Sequence, residues 1–228
     1  MRQSEFIDKR QFDQLDHSVR FAAEIGLPLN TMTTIQFGAT GCEAEHVGPA
    51  IRRLIRNYFT PWLRPTRAHP IDHRPAAWFY VVENVHEHAH HSHGTHVHWV
   101  THIPEGRRVA FEAKLPHWVR RVAGEIFEAA VAVDVRDADK PRGAARYFGK
   151  ALKPHDATRR RIRPSPQGLV HGRRLSISEA INITAINAHR DRLRAAAITP
   201  VDSSAPATSS PWLANDADAS SGLPWRSA

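Results

Sequence analysis

Cysteine is nearly absent from this chain: one residue of 228, Cys42, carries a thiol. A disulfide framework and a Cys-rich zinc module are therefore excluded. No run of about 18 apolar residues occurs, which excludes a spanning helix. No Gly-rich loop ending in Lys-Ser or Lys-Thr is present, so there is no P-loop for a nucleotide. The opening MRQSEFIDKRQFDQ is polar and charged and does not read as a secretory signal. The expectation is a cytoplasmic protein with no membrane partner. Acidic residues are in deficit. Twenty-three Asp and Glu stand against 31 Lys and Arg, leaving a formal charge of +8 and a pI near 10.3. Such a balance favours a polyanionic partner. Histidine, by contrast, is abundant, with 16 residues.

The periodicity alternates between strand and helix. A leading helix is expected over 3–23. The β-branched alternation of 29–37 predicts a strand. Residues 48–60 place Ile51, Leu54, Ile55, Tyr58 and Phe59 at helical spacing. Strands follow at 77–85 and 95–103, then a helix at 115–129, a strand at 130–136 and a helix at 143–153 closed by Pro154. The order β-α-β-β-α-β-α predicts an α+β protein with a ferredoxin-like, split β-α-β antiparallel sheet backed by helices. Three segments are expected: an N-terminal helical extension at 1–26, the main domain at 27–198 with a basic C-terminal part, and a disordered Ser/Ala/Pro-rich tail at 199–228.

Eight histidines fall between His86 and His102. His86, His88, His90, His91 and His93 lie between two predicted strands, where a solvated hairpin loop is expected. His96 and His98 lie within a strand. Residues two apart share a strand face, so their imidazoles stand side by side while Val97 points into the core. Two neutral imidazoles on one rigid strand suit a metal. If 77–85 and 95–103 pair as a hairpin, Glu83 faces both. Glu87 is its rival as third ligand. Two His and one carboxylate with open positions suit Mg²⁺ or Mn²⁺ acting on a phosphate, and would also hold Zn²⁺. His102, four residues beyond His98, is a candidate partner to the ligands.

Tyr147 and Lys150 are three apart on a predicted helix and so share a face, with Phe148 and Leu152 turned toward the core. An unperturbed phenol is almost wholly protonated at neutral pH. A lysine ammonium and a metal nearby both favour the phenolate, which makes this pair a candidate nucleophile and its support. Between Arg142 and Arg174 there are ten Lys and Arg and one acid, Asp156. Arg142, Arg146, Arg159, Arg160 and Arg161 are candidates for tracking a nucleic-acid backbone, with Arg163, Arg173 and Arg174 close by.

In combination these motifs resemble the HUH endonucleases: rolling-circle replication initiators, relaxases and single-strand transposases. His96-Val97-His98 is similar to their His-hydrophobe-His motif, and Tyr147-x-x-Lys150 to their Tyr-x-x-Lys motif. Asn30-Thr31-Met32-Thr33-Thr34 resembles the first motif of the initiators, and Glu83 the carboxylate that completes the metal triad. The resemblance covers roughly 27–155. It implies a palm-like sheet, a divalent metal on the scissile phosphate, and a tyrosine that stays attached to the 5′ end of the cut strand. It also implies single-stranded or hairpin DNA at a replication origin as substrate, with host replication proteins as further partners. A single tyrosine of the motif is present, and without a P-loop no fused helicase is expected. The earliest tyrosine is Tyr58, unlike the relaxases. The rival from another class is a non-catalytic nucleic-acid-binding protein whose His-rich loop senses or stores a transition metal.

Overall fold

The computed structural model describes residues 3–65, 75–84 and 94–198. The histidine loop (His86, His88, His90, His91 and His93), Glu87 and the tail 199–228 lie outside the described residues.

The elements follow one another as β1 (Gln3–Ser4), α1 (Lys9–Glu24), β2 (Thr31–Gln36), α2 (Val47–Leu54), α3 (Thr60–Trp62), β3 (Trp78–Asn84) and β4 (Thr95–Thr101). Then come α4 (Arg108–Ala123), α5 (Ala129–Ala132), β5 (Val133–Asp137), α6 (Pro141–Phe148), α7 (Pro154–Arg159), β6 (Val170–His171), β7 (Leu175–Ile177) and α8 (Ile183–Ile198). Helix α1 begins at Lys9, later than the expected start at residue 3. Asp8 caps it by accepting from the Gln11 amide at 2.7 Å, while the Gln11 side chain accepts from the Asp8 amide, a reciprocal capping box.

Several boundaries differ from those expected. The leading segment begins with the short strand β1 before its helix. A helix was expected at 115–129, but α4 begins at Arg108, runs through Pro116 and stops at Gly124, whose φ is +85°. Pro116 is on the exposed face, where one lost backbone hydrogen bond is tolerated. The strand expected at 130–136 opens with the single helical turn α5. The 143–153 helix is α6 followed by a 3₁₀ turn at Gly149–Ala151. Helices α7 and α8 and strands β6 and β7 have no counterpart in the sequence reading.

Five strands form one antiparallel sheet in the order β5-β2-β4-β3-β7, and β1 pairs with β6 separately. β2 and β3 both run antiparallel to β4, which lies between them. β4 and β5 both run antiparallel to β2. The crossovers through α2 and α4 therefore make two interleaved split β-α-β units. Among the described residues no helix is long and apolar enough to cross a membrane.

Helices cover both sheet faces. On one, Ile35, Tyr80, Val82, Val97 and Trp99 pack under α2 and α4, with Phe59, Phe111 and Trp118 in edge-on contact around them. On the other, Phe79, Val81 and Val100 pack under α1, α6 and α8 through Leu15, Phe148 and Ile186. Helix α1 is thus built into this second layer. The alternation of β3 and β4 then has one consequence for chemistry. Past Val81 and Val100, the residues facing the α1–α6 side are Glu83, His98 and His96, so the apolar cover gives way to titratable groups.

Candidate metal centre

β3 and β4 pair with Glu83 directly opposite His96 and Val81 opposite His98. Cross-strand neighbours lie within about 5.5 Å, and the diagonal ones are within reach of long side chains. The Glu83 Oε2 atom is 3.3 Å from His96 Nε2 and 3.7 Å from His98 Nε2. One ligand atom from each of the three residues falls within 4.8 Å of the others, and together they can hold a metal ion. Ligands bound at about 2.0–2.2 Å sit roughly 3.0–3.4 Å apart around an ion, so little movement is needed.

The second nitrogen of each imidazole faces outward. His98 Nδ1 shares a hydrogen bond with Thr34 Oγ1 at 3.0 Å, and His96 Nδ1 lies 3.4 Å from the Gly94 carbonyl. These outer contacts turn both Nε2 atoms toward Glu83, the arrangement that fixes ring orientation in metal sites. Phe148 packs on His98 with ring centroids 5.3 Å apart. Glu83 is 1% exposed, and its Oε1 has no hydrogen-bond partner among the described residues. A buried carboxylate oxygen without a partner is costly, and a bound cation would satisfy it. The donor set therefore fits a divalent ion, whose identity it leaves open.

Burial by itself pushes the Glu83 carboxyl up. Hydrogen bonds from His96 and His98, with the charges of His98 and Lys150, outweigh burial and hold it well below the usual carboxylate range. Glu83 is therefore ionised, as a ligand must be.

Tyr147 on α6 and Lys150 on the 3₁₀ turn that follows it reach the same place. Lys150 Nζ is 3.1 Å from Glu83 Oε2 and donates to the Tyr147 hydroxyl at 2.5 Å. A single ammonium thus links the phenol to the carboxylate. Gly149 lets this turn pack closely: a Cβ there would lie 2.5 Å from Ile162 and 3.0 Å from the Phe12 ring. The chain has three tyrosines. Tyr80 is buried and Tyr58 half-buried under α2, on the opposite sheet face, whereas Tyr147 is 52% exposed.

Beside Tyr147 lies an open cleft of ≈ 740 Å³ lined by Arg146, Lys150, Arg161 and Arg163. Its far wall is tied to α6. The Ser165 amide donates to the Lys150 carbonyl at 3.0 Å, and Arg146 donates to the carbonyls of Arg160 and Arg161. The expected basic residues thus divide. Arg161 is exposed in the cleft, and Arg159 is exposed on α7. Arg142 is exposed, 4.0 Å from Asp16. Arg160 is paired with Asp13 and stacked over Phe12.

Arg174 departs from the expectation of a solvated basic cluster. It is 2% exposed and donates to the carbonyls of Ser4, Val82, Gln167 and Gly168. Burial lowers its pKa to about 10, against the opposing charges of Glu83 and Glu5. The Asn84 amide donates to the Gln167 carbonyl, and its side chain donates to the carbonyl of Leu169. Arg174 and Asn84 therefore pin β3 on either side of Glu83. Gly168 is needed there: its φ is +65°, and a Cβ would fall 1.5 Å from the Asn84 carbonyl oxygen. His102 is not part of the site. It lies past the other end of β4, bonded to the Pro28 carbonyl at 2.8 Å.

Sequence reasoning missed Thr34 as the anchor of His98, and it missed the structural role of Arg174. The alternation of β2 does put Thr34 on one face with Met32 and Gln36, but its partner depends on which strand lies alongside. Compared with family models, curated proteins and solved structures, the chain finds no match.

Proposed function

We propose that this protein is a metal-dependent endonuclease and strand transferase of single-stranded DNA, working through a 5′-phosphotyrosine, with the sheet serving as an HUH-type palm. The observation that carries the reading is the placement of an exposed tyrosine hydroxyl one lysine away from a buried Glu-His-His group. The basic cleft leading to that hydroxyl supports it, as does the split β-α-β order with candidate ligands on neighbouring β3 and β4.

The roles follow from the geometry. Glu83, His96 and His98 would hold Mg²⁺ or Mn²⁺, which supplies Lewis-acid polarisation of the scissile phosphate. The Lys150 ammonium at the Tyr147 Oη stabilises the phenolate once its proton has left to solvent. Tyr147 Oη then bonds to phosphorus as the bond from phosphorus to the 3′ oxygen breaks. The leaving oxygen takes a proton and becomes a free 3′-OH. Rejoining is the same step reversed, with the 3′ oxygen displacing the phenolate. Arg146, Arg161 and Arg163 line the approach, where guanidinium groups can neutralise backbone phosphates. With one exposed tyrosine per chain, a second cut needs a second subunit or water. Initiation of rolling-circle replication of a plasmid, phage or mobile element is the setting this chemistry serves.

The test is a denaturing gel of protein mixed with a pool of single-stranded DNA and Mn²⁺. A band shifted by attached DNA is expected, lost with Tyr147→Phe and with EDTA. An adduct that survives Tyr147→Phe overturns the assignment of the nucleophile. DNA retention on a filter with no adduct from any pool overturns the enzymatic reading in favour of a binding protein.

A further inference from the structure

A second cleft, of ≈ 900 Å³, opens on the side of the sheet away from Glu83. Its wall is α2 and the turn that follows it, and its floor is the start of β3 with Ser176–Ala180. Arg52, Arg56 and Asn57 project along the wall, Trp78 and Ser176 line the floor, and the one acid is Glu179. Trp78 and Glu83 are five residues apart on β3. They therefore face opposite sides of the sheet, about 17 Å apart along the strand. This cleft and the tyrosine cleft are distinct.

The wall is unusual in its backbone. Residues Ile55–Phe59 form a π-helical turn between α2 and α3. Such turns are rare and occur often at functional sites. The wider turn keeps both Ile55 and Phe59 buried while Arg56 and Asn57 stay exposed. The cations differ in what they already hold. Arg53 donates to the Val122 carbonyl at 3.0 Å and is committed to the packing of α2 on α4. Arg52 and Arg56 have no ion-pair partner among the described residues. Trp78 is half-buried and stacks on Tyr80, with ring centroids 5.7 Å apart and planes within 10°. It is an indole held rigidly in the floor of a basic groove.

We propose that this groove is a second binding site for single-stranded nucleic acid, in which Arg52 and Arg56 take successive phosphates and a base stacks on Trp78. Two guanidinium groups without an ion-pair partner among the described residues, beside a stacked aromatic ring, are the elements of a single-strand platform: cations track the backbone, and an aromatic face accepts any base. An acidic peptide would use the cations and leave the indole without a planar ligand. The site is independent of the metal centre and goes beyond the nicking reaction. It would hold the strand away from the tyrosine and keep the protein on its substrate between cutting and rejoining.

The test measures binding of fluorescein-labelled oligothymidylate by anisotropy over a range of salt, in EDTA, so that no cleavage intervenes. The Arg52→Ala/Arg56→Ala protein is compared with a control of equal charge loss, Arg120→Ala/Arg121→Ala, on exposed positions of α4. Each single-strand phosphate contact contributes about 0.7 to the slope of log K against log salt, so two lost contacts lower the slope by about 1.4 and the affinity about tenfold near 0.15 M salt. The control should lose far less. Crosslinking with bromodeoxyuridine-substituted oligonucleotide should label the peptide that contains Trp78. Equal losses in the two doubles, with no label at Trp78, overturn the proposal. So does a loss confined to labelled duplex, or displacement by polyglutamate that single-stranded DNA does not reproduce. The assay reads binding in EDTA alone, so a failed nicking assay leaves this result readable on its own.

Discussion

Lys150→Met tests whether the lysine and the metal compete for one carboxylate. Lys150 Nζ lies 3.1 Å from Glu83 Oε2, and Glu83 is 1% exposed. At that distance, with an effective dielectric near 20, two unit charges attract by about 5 kcal/mol. After desolvation and side-chain ordering, a hydrogen bond to a charged group retains about 1.5–3 kcal/mol. A divalent ion that enters on the same oxygen must displace this contact. Removing the ammonium while keeping the apolar stem should therefore tighten Mn²⁺ binding by about tenfold to a hundredfold. The apoprotein should suffer in the opposite sense. Glu83 would lose its nearest positive charge and keep only its histidines, which costs about 3 kcal/mol, or roughly 6–12 °C in Tm. Saturating Mn²⁺ should restore most of that loss. Calorimetric titration gives the affinity and scanning calorimetry the Tm. A Lys150→Met protein whose Mn²⁺ affinity matches wild type within twofold, or is weaker, would refute the competition and leave Lys150 tied to Tyr147 alone.

Thr34→Val removes the hydroxyl that meets His98 Nδ1 at 3.0 Å. Metal affinity should fall about tenfold to a hundredfold, as for other lost outer contacts, with the fold intact by circular dichroism. An unchanged titration would mean that Phe148 packing alone orients the ring. Arg174→Leu strands four carbonyls that the guanidinium now serves. The cost should be about 3 kcal/mol or more in urea unfolding, and a shift below 1 kcal/mol would contradict this. The Glu83 carboxyl is held below its ordinary range, so its ionisation stabilises the folded state. That stability is complete above the unfolded titration near about 4.3 and is lost as pH falls through and below it. Urea melts of Glu83→Gln between pH 3 and pH 6 should show a flatter acid limb than wild type. Parallel limbs would show that Glu83 contributes nothing to acid sensitivity.

Much of the candidate metal centre was written locally. Strand alternation alone puts His96 and His98 on one face with Val97 on the other, because successive side chains point to opposite sides. The hairpin pairing of β3 with β4 then brings Glu83 to them, and the two pair Glu83 with His96 in register. Helical spacing likewise selected Tyr147 and Lys150 as neighbours, although Lys150 proves to sit on a 3₁₀ turn. The expected antiparallel sheet with helices behind it came from the order of elements, since a helix between two strands returns the chain to the same sheet.

What sequence could not decide was who meets whom across long separations. Lys150 reaches Glu83 because α6 covers the face of the sheet opposite α2 and α4, a choice set by how apolar stripes pack and not by any local period. Arg173 and Arg174 are adjacent and identical in the sequence. The first is exposed and the second is buried on four carbonyls, because β7 enters the sheet at the edge beside β3. Thr34 is one of three threonines in its strand, and the register with β4 alone makes it the partner of His98. Local geometry thus determined which residue types share a face. The tertiary arrangement decided which cation meets Glu83 and which hydroxyl and ring hold His98, because that depends on distances closed only when the whole core packs.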